Sequence, residues 1–351
     1  MHKCFLNSGN VPISSVGYPV IHPTKENFAY EGWNYYKVNA LCQDNDEETR
    51  KKTLQSLCDL LYDPQNAYQY LRRGLRENLE STWIDSDEFV CTKGAEILSI
   101  ITVTPAGRKA FLAFNLIEGA ILLLDHELQN VRKHAYTTLR NLSCNPEGSA
   151  AIVYHDSIII LIKKLKEEND ENKEIILEII HECLKINAFK TEKVLNAGAI
   201  TIIIELFESD SIVIKRKAAI VMADLCMSEI GKTIACEQAL DAIIKHLKET
   251  TDSEFRTKLC YLLVMITVII KGKFKAVEGN ALPLLLCILE DSSVETRKNC
   301  LKAITMLAEV PTGREFFLKN IQEIRHLLSD PDKEVREIAE VAYEVIIWKP
   351  S

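Results

Sequence analysis

Pro105-Ala106-Gly107-Arg108 is answered along the chain by Pro146-Glu147-Gly148-Ser149, Glu229-Ile230-Gly231-Lys232, Lys271-Gly272-Lys273 and Pro311-Thr312-Gly313-Arg314. The glycines fall at 107, 148, 231, 272 and 313, with gaps of 41, 83, 41 and 41 residues. The gap of 83 holds two repeats with one degenerate copy between them, and Pro64 lies 41 residues before Pro105. A fixed period of about 40 to 47 residues with helical patterning marks an armadillo or HEAT solenoid. One such repeat cannot bury its own apolar face, so copies must stack.

Each repeat ends in a long amphipathic segment. In 129–143, Val131, Ala135, Leu139 and Leu142 recur at three- and four-residue spacing and share one helical face. The equivalents are 47–61, 88–103, 171–187, 212–227, 252–270, 293–308 and 332–347, which makes eight copies. Each Gly step is expected to end the long helix and open a short one, glycine supplying the backbone angles of a sharp turn. A second apolar helix follows, as at 117–124, 157–166, 199–207 and 239–247. Three helices per repeat favour armadillo over HEAT. The expected fold is all-α: an armadillo/HEAT-like right-handed superhelical solenoid of about eight repeats, its long helices lining the concave face. It should span 24–350, after an irregular arm at 1–23 that carries Pro12, Gly17, Pro19 and Pro23 without any period.

Composition narrows the function. Apolar residues make up 47% of the 351, enough for a continuous buried spine. The formal charge of −8 disfavours nucleic acid, which needs clustered Lys and Arg, and leaves basic protein partners open. Eleven cysteines, an odd number with no Cys-x-x-Cys, point to packing residues in a reducing compartment. The longest apolar run, Leu259 to Ile270, is shorter than the roughly 20 residues of a membrane span and reads as a helix buried on most sides. Met1 to Leu6 lacks the apolar stretch of a secretory signal. The expectation is a soluble intracellular protein that binds no membrane.

A second column runs in register: Arg50, Cys91, Arg132, Lys173, Lys215, Arg256, Arg297 and Arg336, near the start of each long helix. Acids precede each position, at Asp46, Asp87, Asp125, Asp170, Asp210, Asp252, Asp291 and Asp332. One reading is a basic ladder that grips acidic partners. The other is an Arg–Asp pair inside each inter-helix turn, and the acid travelling with the base favours it. An acid at a helix start also suits the helix dipole. Phe28, Tyr30, Trp33, Tyr35 and Tyr36 crowd the first helical segment, either as a docking anchor or as a cap over the first repeat's core, with capping the stronger reading.

Motifs of catalysis are missing from the sequence. No glycine-rich phosphate loop, GxSxG elbow or HExxH occurs. His126-Glu127 and His181-Glu182 lie 55 residues apart, so they cannot occupy equivalent points of the 41-residue repeat as the paired ligands of the HEAT-like deoxyhypusine hydroxylases do. No catalytic residue, metal site, cofactor or small-molecule substrate is expected. Importin-alpha-type armadillo proteins hold extended basic peptides with an Asn ladder and a Trp ladder four residues earlier. Here the Asn positions carry Ile100, Asn141, Asp224, Met265 and Met306, and the Trp positions Glu96, Thr137, Ile220, Tyr261 and Lys302. Such a groove suits one folded or helical partner. Candidate partner-binding residues are Thr137, Asn141, Asp224, Tyr261 and Lys302 on the groove, with Trp33, Tyr35 and Tyr36 on the arm; Tyr261 leads them, offering apolar area and a polar tip.

Leu57-Cys58-Asp59-Leu60-Leu61-Tyr62-Asp63-Pro64 and Gly74-Leu75-Arg76-Glu77-Asn78-Leu79 resemble the opening repeat of the radial spoke head protein 14 family. Gly272-Lys273-Phe274-Lys275-Ala276 and Lys302-Ala303-Ile304-Thr305-Met306-Leu307-Ala308-Glu309, continuing into Pro311-Thr312-Gly313-Arg314, are similar to its later repeats. Pro23-Thr24-Lys25 and Trp348-Lys349-Pro350 match its two ends, so the resemblance spans about 22–350, with 150–210 departing most. It implies a structural subunit of the radial spokes of motile cilia and flagella, placed in the stalk and neck region. Its partners would be other radial spoke proteins in a large axonemal complex, and its location cytoplasm, cytoskeleton and the axoneme. The alternative left by the residues alone is a cytosolic armadillo adaptor in transport or signalling.

Overall fold

The structure is a computed structural model that describes residues 35–186 and 191–348. Among the described residues all regular structure is helical. The long helices are Glu47–Leu61 (α1), Glu88–Ile101 (α2), Gln129–Ser143 (α3), Asp170–Ile186 (α4), Ile212–Leu225 (α5), Ser253–Thr267 (α6), Val294–Leu307 (α7) and Lys333–Ile347 (α8). Two shorter helices precede each from α2 onward, for example Pro105–Ala113 and Ile117–Leu122 before α3, as the three-helix reading requires. The chain divides into two compact units, Met1–Ser157 and Ile158–Ser351. In the first, α1 packs on α2 and α2 on α3; in the second, α4 to α8 pack each on the next.

The apolar face of every long helix supplies the core. Leu259, Leu262, Leu263 and Ile266 of α6 are fully buried, as are Val221 and Met222 of α5 and Leu301 and Ile304 of α7. Each such side chain is worth about 1.5–3 kcal/mol on burial. The run from Leu259 to Ile270 is nevertheless not one helix. α6 stops at Thr267 and the next helix, Ile270–Glu278, starts after a turn that leaves Val268 and Ile270 exposed. The core cysteines behave as apolar packers: burial pushes the thiols of Cys42, Cys58, Cys226 and Cys260 up to about 12.

The glycine column has a different cause from the one expected. None of Gly107, Gly148, Gly231, Gly272 or Gly313 has a positive φ. Each sits in the first turn of the helix that follows the long one, and a Cβ there would fall well inside 3.0 Å of a backbone carbonyl oxygen at the end of the long helix: Ile101, Leu142, Leu225, Ile266 and Leu307 in turn. Glycine is kept for close approach. The left-handed positions form their own column, at Gly74, Asn115, Asp156, Gly198 and Asn280, just before the second helix of the repeat. Gly, Asn and Asp are the residues that adopt this conformation at least cost.

The column of bases is a turn clamp. Nη1 of Arg50 donates to the carbonyls of Asp44 (3.0 Å) and Asn45 (3.3 Å). Arg132 does the same to His126 and Glu127, Arg297 to Asp291 and Ser292, and Arg336 to Asp330 and Pro331. Even Cys91 places its thiol 3.0 Å from the carbonyl of Asp85. The paired acid, however, is not in the same turn as the sequence suggested. Arg50 reaches Asp85, Arg256 reaches Asp291, and Arg297 holds Asp330 through Nε and Nη2 at 2.8 and 2.9 Å, each acid belonging to the next repeat's turn. Asp46, Asp87, Asp252 and Asp332 are instead N-caps of α1, α2, α6 and α8. The rung is therefore an inter-repeat bond, buried at its strongest point: Arg297 is 9% and Asp330 7% exposed. Burial alone would raise the Asp330 carboxyl, but hydrogen bonds from Arg297 and the Asp332 N–H hold it below the usual carboxylate value.

Two outcomes follow. Gly231→Ala gains about 1 kcal/mol of helix propensity, yet the forced contact with the Leu225 carbonyl should cost about 1–3 kcal/mol. A net fall in melting temperature is expected, and a rise would show that the close approach is not limiting. Arg297→Ala strands the buried Asp330 and should cost about 3–5 kcal/mol. Arg297→Lys should recover part of it, since lysine cannot grip both carboxylate oxygens in the same fork. Urea unfolding curves of the three proteins check this.

Candidate functional site

The faces of the long helices turned away from the core form a grid. At helical spacing, α5 presents Arg216, Lys217, Ile220 and Asp224; α6 presents Glu254, Lys258, Tyr261 and Met265; α7 presents Glu295, Lys298, Lys302 and Met306. These helices pack in the order α5, α6, α7, so equivalent positions lie side by side. Tyr261 is 38% exposed, Lys302 is exposed, and Ile220, Met265 and Met306 are half-buried.

Cross-helix bonds engage most of the charged groups on this face. Lys217 lies 3.2 Å from Glu174 and 2.8 Å from Glu178 on α4. Arg216 pairs with Asp252 and, at 2.9 Å, with Glu254. Lys298 pairs with Glu295 and Glu334, which together push its ammonium well above the usual lysine value. His181 of α4 donates from Nδ1 to Asp224 at 2.6 Å, and that hydrogen bond, against the opposing effect of partial burial, raises the imidazole above its ordinary value. Lys258 and Lys302 carry no ion pair among the described residues.

The sequence candidates are scattered. Tyr261, Asp224 and Lys302 come together on neighbouring helices of the second unit. Thr137 and Asn141 sit on α3 in the first, and both are engaged within it. Thr137 donates to the Lys133 carbonyl, while Asn141 Nδ2 donates to the Ser99 carbonyl and to Thr102 Oγ1, both at 3.2 Å. Asp224 is likewise taken up by His181. Tyr35 donates to Asn66 at 2.9 Å, sets its ring edge-on against Tyr70 and lies under Arg73, all contacts of a cap on the first repeat. Tyr36 is half-buried. Trp33 lies outside the described residues. Sequence reading missed Lys258, although it stands one helical step before Tyr261. It also missed the bond between His181 and Asp224, whose separation of 43 residues is one repeat plus two.

Chemical machinery does not gather here. Among the described residues no group of three or more His, Cys, Asp and Glu is placed to hold a metal ion. His126 accepts the Leu128 N–H in its turn, so the two His-Glu pairs serve unrelated local roles. An open cleft of about 540 Å³ lies where one rung of the clamp is lost, with Lys215 in the arginine position and Thr250 in the position of the acid; Glu208, His246 and Asp252 also line it. No single helix among the described residues is long and apolar enough to cross a membrane.

No protein-family model matches the chain. Among solved structures, an engineered protein superposes with a TM-score of 0.74 at 20% identity, covering 89% of this chain and 78% of its own. A designed armadillo repeat protein in complex with the peptide (KR)4 superposes with a TM-score of 0.61 at 19% identity, covering 66% of this chain and 99% of its own. At these identities the likeness is one of fold: the chain is an all-α armadillo/HEAT-like solenoid.

Because Asp224 raises His181, the stability carried by the pair is complete below about pH 6.5, the ordinary histidine value, and is lost as pH rises through the raised one. Asp224→Asn should lower the His181 titration midpoint seen by NMR. It should remove about 1 kcal/mol or less near pH 5.5, given the partial exposure of the pair, and almost nothing near pH 8.5. An unchanged midpoint would show that the pair does not form in solution.

Proposed function

We propose that this chain is a non-enzymatic structural subunit of the axonemal radial spoke, in its stalk and neck region, and that it joins neighbouring spoke proteins through the exposed face of its long helices. The observation that carries this reading is the ordered resemblance to the radial spoke head protein 14 family at both ends and in the later repeats. The physical features agree with it. Within each of the two units the long helices pack on their neighbours through buried apolar contacts and, at Arg50, Arg256 and Arg297, through a clamp bonded to the following turn. Such a stack resists bending, as an element that transmits force must. The groove lacks a repeated Asn or Trp code, which favours one dedicated partner over many interchangeable peptides. A basic peptide, such as the (KR)4 held by the designed armadillo repeat protein, would meet the unpaired Lys258 and Lys302 here.

The competing reading is a cytosolic armadillo adaptor, and extraction separates the two. A spoke subunit stays with isolated axonemes through detergent and moderate salt, whereas an adaptor washes out. Tyr261→Ala should fold normally, with an unchanged melting temperature, and incorporate poorly into spokes. Wild-type incorporation and beating would remove Tyr261 from the interface. Complete spokes and intact motility after deletion of the whole protein would overturn the spoke reading.

A further inference from the structure

The middle of the α5–α7 face combines three properties. First, it is apolar and open: Tyr261 is 38% and Val268 50% exposed, with Ile220, Met265 and Met306 half-buried beside them. The Tyr261 hydroxyl has no hydrogen-bond partner among the described residues, which leaves it available to a ligand. Second, it has no device for holding an extended backbone. An extended peptide exposes N–H and C=O groups that a receptor must satisfy with a polar ladder. At the ladder positions stand Met265 and Met306, which bond nothing, and Asp224, which is already bonded to His181. A helix satisfies its own backbone and needs no ladder. Lying across the stack, it presents side chains at i and i+7 about 10.5 Å apart, close to the roughly 8–10 Å step between packed helices.

Third, the charged groups on this face that lack a counter-ion are cations. The acids of this region are already paired: Glu254 with Arg216 at 2.9 Å, Glu295 with Lys298 at 2.6 Å, Glu309 with Lys273, and Asp224 with His181 at 2.6 Å. Lys258, one turn before Tyr261 on α6, and Lys302, at the position of α7 equivalent to Tyr261, are not paired. Two free ammonium groups flank an apolar patch on a chain whose net charge is −8. Residues 1–34 carry only Lys3, Lys25, Glu26 and Glu31 as charged side chains besides histidine, so this segment has no net negative charge to match the two lysines.

We propose that Ile220, Tyr261, Met265 and Met306, flanked by Lys258 and Lys302, dock an acidic amphipathic helix of a partner protein. This rests on the protein-docking reading above and specifies the partner's chemistry. Methionines suit the role, since their flexible thioethers adapt to a partner's knobs. Tyr261 is the anchor, and the two lysines set charge preference and association rate.

The test places the photo-cross-linker benzoylphenylalanine at position 261 of the full chain in motile ciliated cells and sequences the peptide captured on irradiation. The expected adduct is a segment of another protein with net negative charge and apolar residues recurring every three or four positions. A synthetic copy of that segment should bind the wild-type chain. Lys258→Glu combined with Lys302→Glu should weaken it at least about tenfold at low salt and less at high salt, with no change in melting temperature. A basic or neutral segment, a peptide from residues 1–34, a second copy of this chain, the absence of any adduct, or equal affinity for the charge-reversed protein would each overturn the proposal. An acidic helix from a protein outside the axoneme would uphold this docking site and overturn the spoke assignment. An axonemal segment of the wrong charge would do the reverse.

Discussion

A three-helix unit of 41 residues cannot enclose a core. Val221 and Met222 on α5, Leu262 and Leu263 on α6 and Ile304 on α7 are fully buried because each helix lies against the next copy of itself. Folding of one repeat therefore depends on its neighbours. The remaining features answer that need. The long helix must end cleanly, the chain must return within one repeat's width, and the next long helix must arrive in register.

Backbone carbonyls carry much of this precision. The glycine step lets the following helix start against the last carbonyls of the long one, closer than any side chain would permit. At the other end, the arginine position binds the two carbonyls of the turn that enters the long helix. In the repeats that carry arginine there, polar backbone groups that the turn leaves unpaired are thus satisfied by one side chain. Because Arg297 also grips Asp330 of the following turn, the same residue fixes the geometry of its own repeat and its bond to the next. Where the position is Lys215, the rung opens into a cleft.

The exposed face has the opposite character. Its charges are mostly spent between helices, as at Lys217 with Glu174 and Glu178 or Arg216 with Asp252. What remains for a partner is what those pairs leave behind: Tyr261, the methionines, and the lysines without a counter-ion. On the proposed reading, recognition rests on a difference between repeats, whereas stability rests on their sameness.

The sequence by itself determined the fold class, the repeat length and the limits of the long helices to within a few residues. It could do so because a stacking constraint imprints the same apolar spacing and the same turn residues in every copy. The Gly and Arg columns were legible, but their causes were not. A column shows that a position is constrained, and only the tertiary structure shows by what: Gly231 by the Leu225 carbonyl and Arg297 by an acid in the following repeat. The groove candidates divided for the same reason. In a one-dimensional register nothing marks Asn141 or Asp224 as already engaged. Asn141 is consumed by Ser99 and Thr102, and Asp224 by His181, across a helix interface that no spacing rule encodes. Exposure is a property of neighbours in space, so the sequence could name Tyr261 and Lys302 as candidates, whereas their standing free and the addition of Lys258 came from the folded chain.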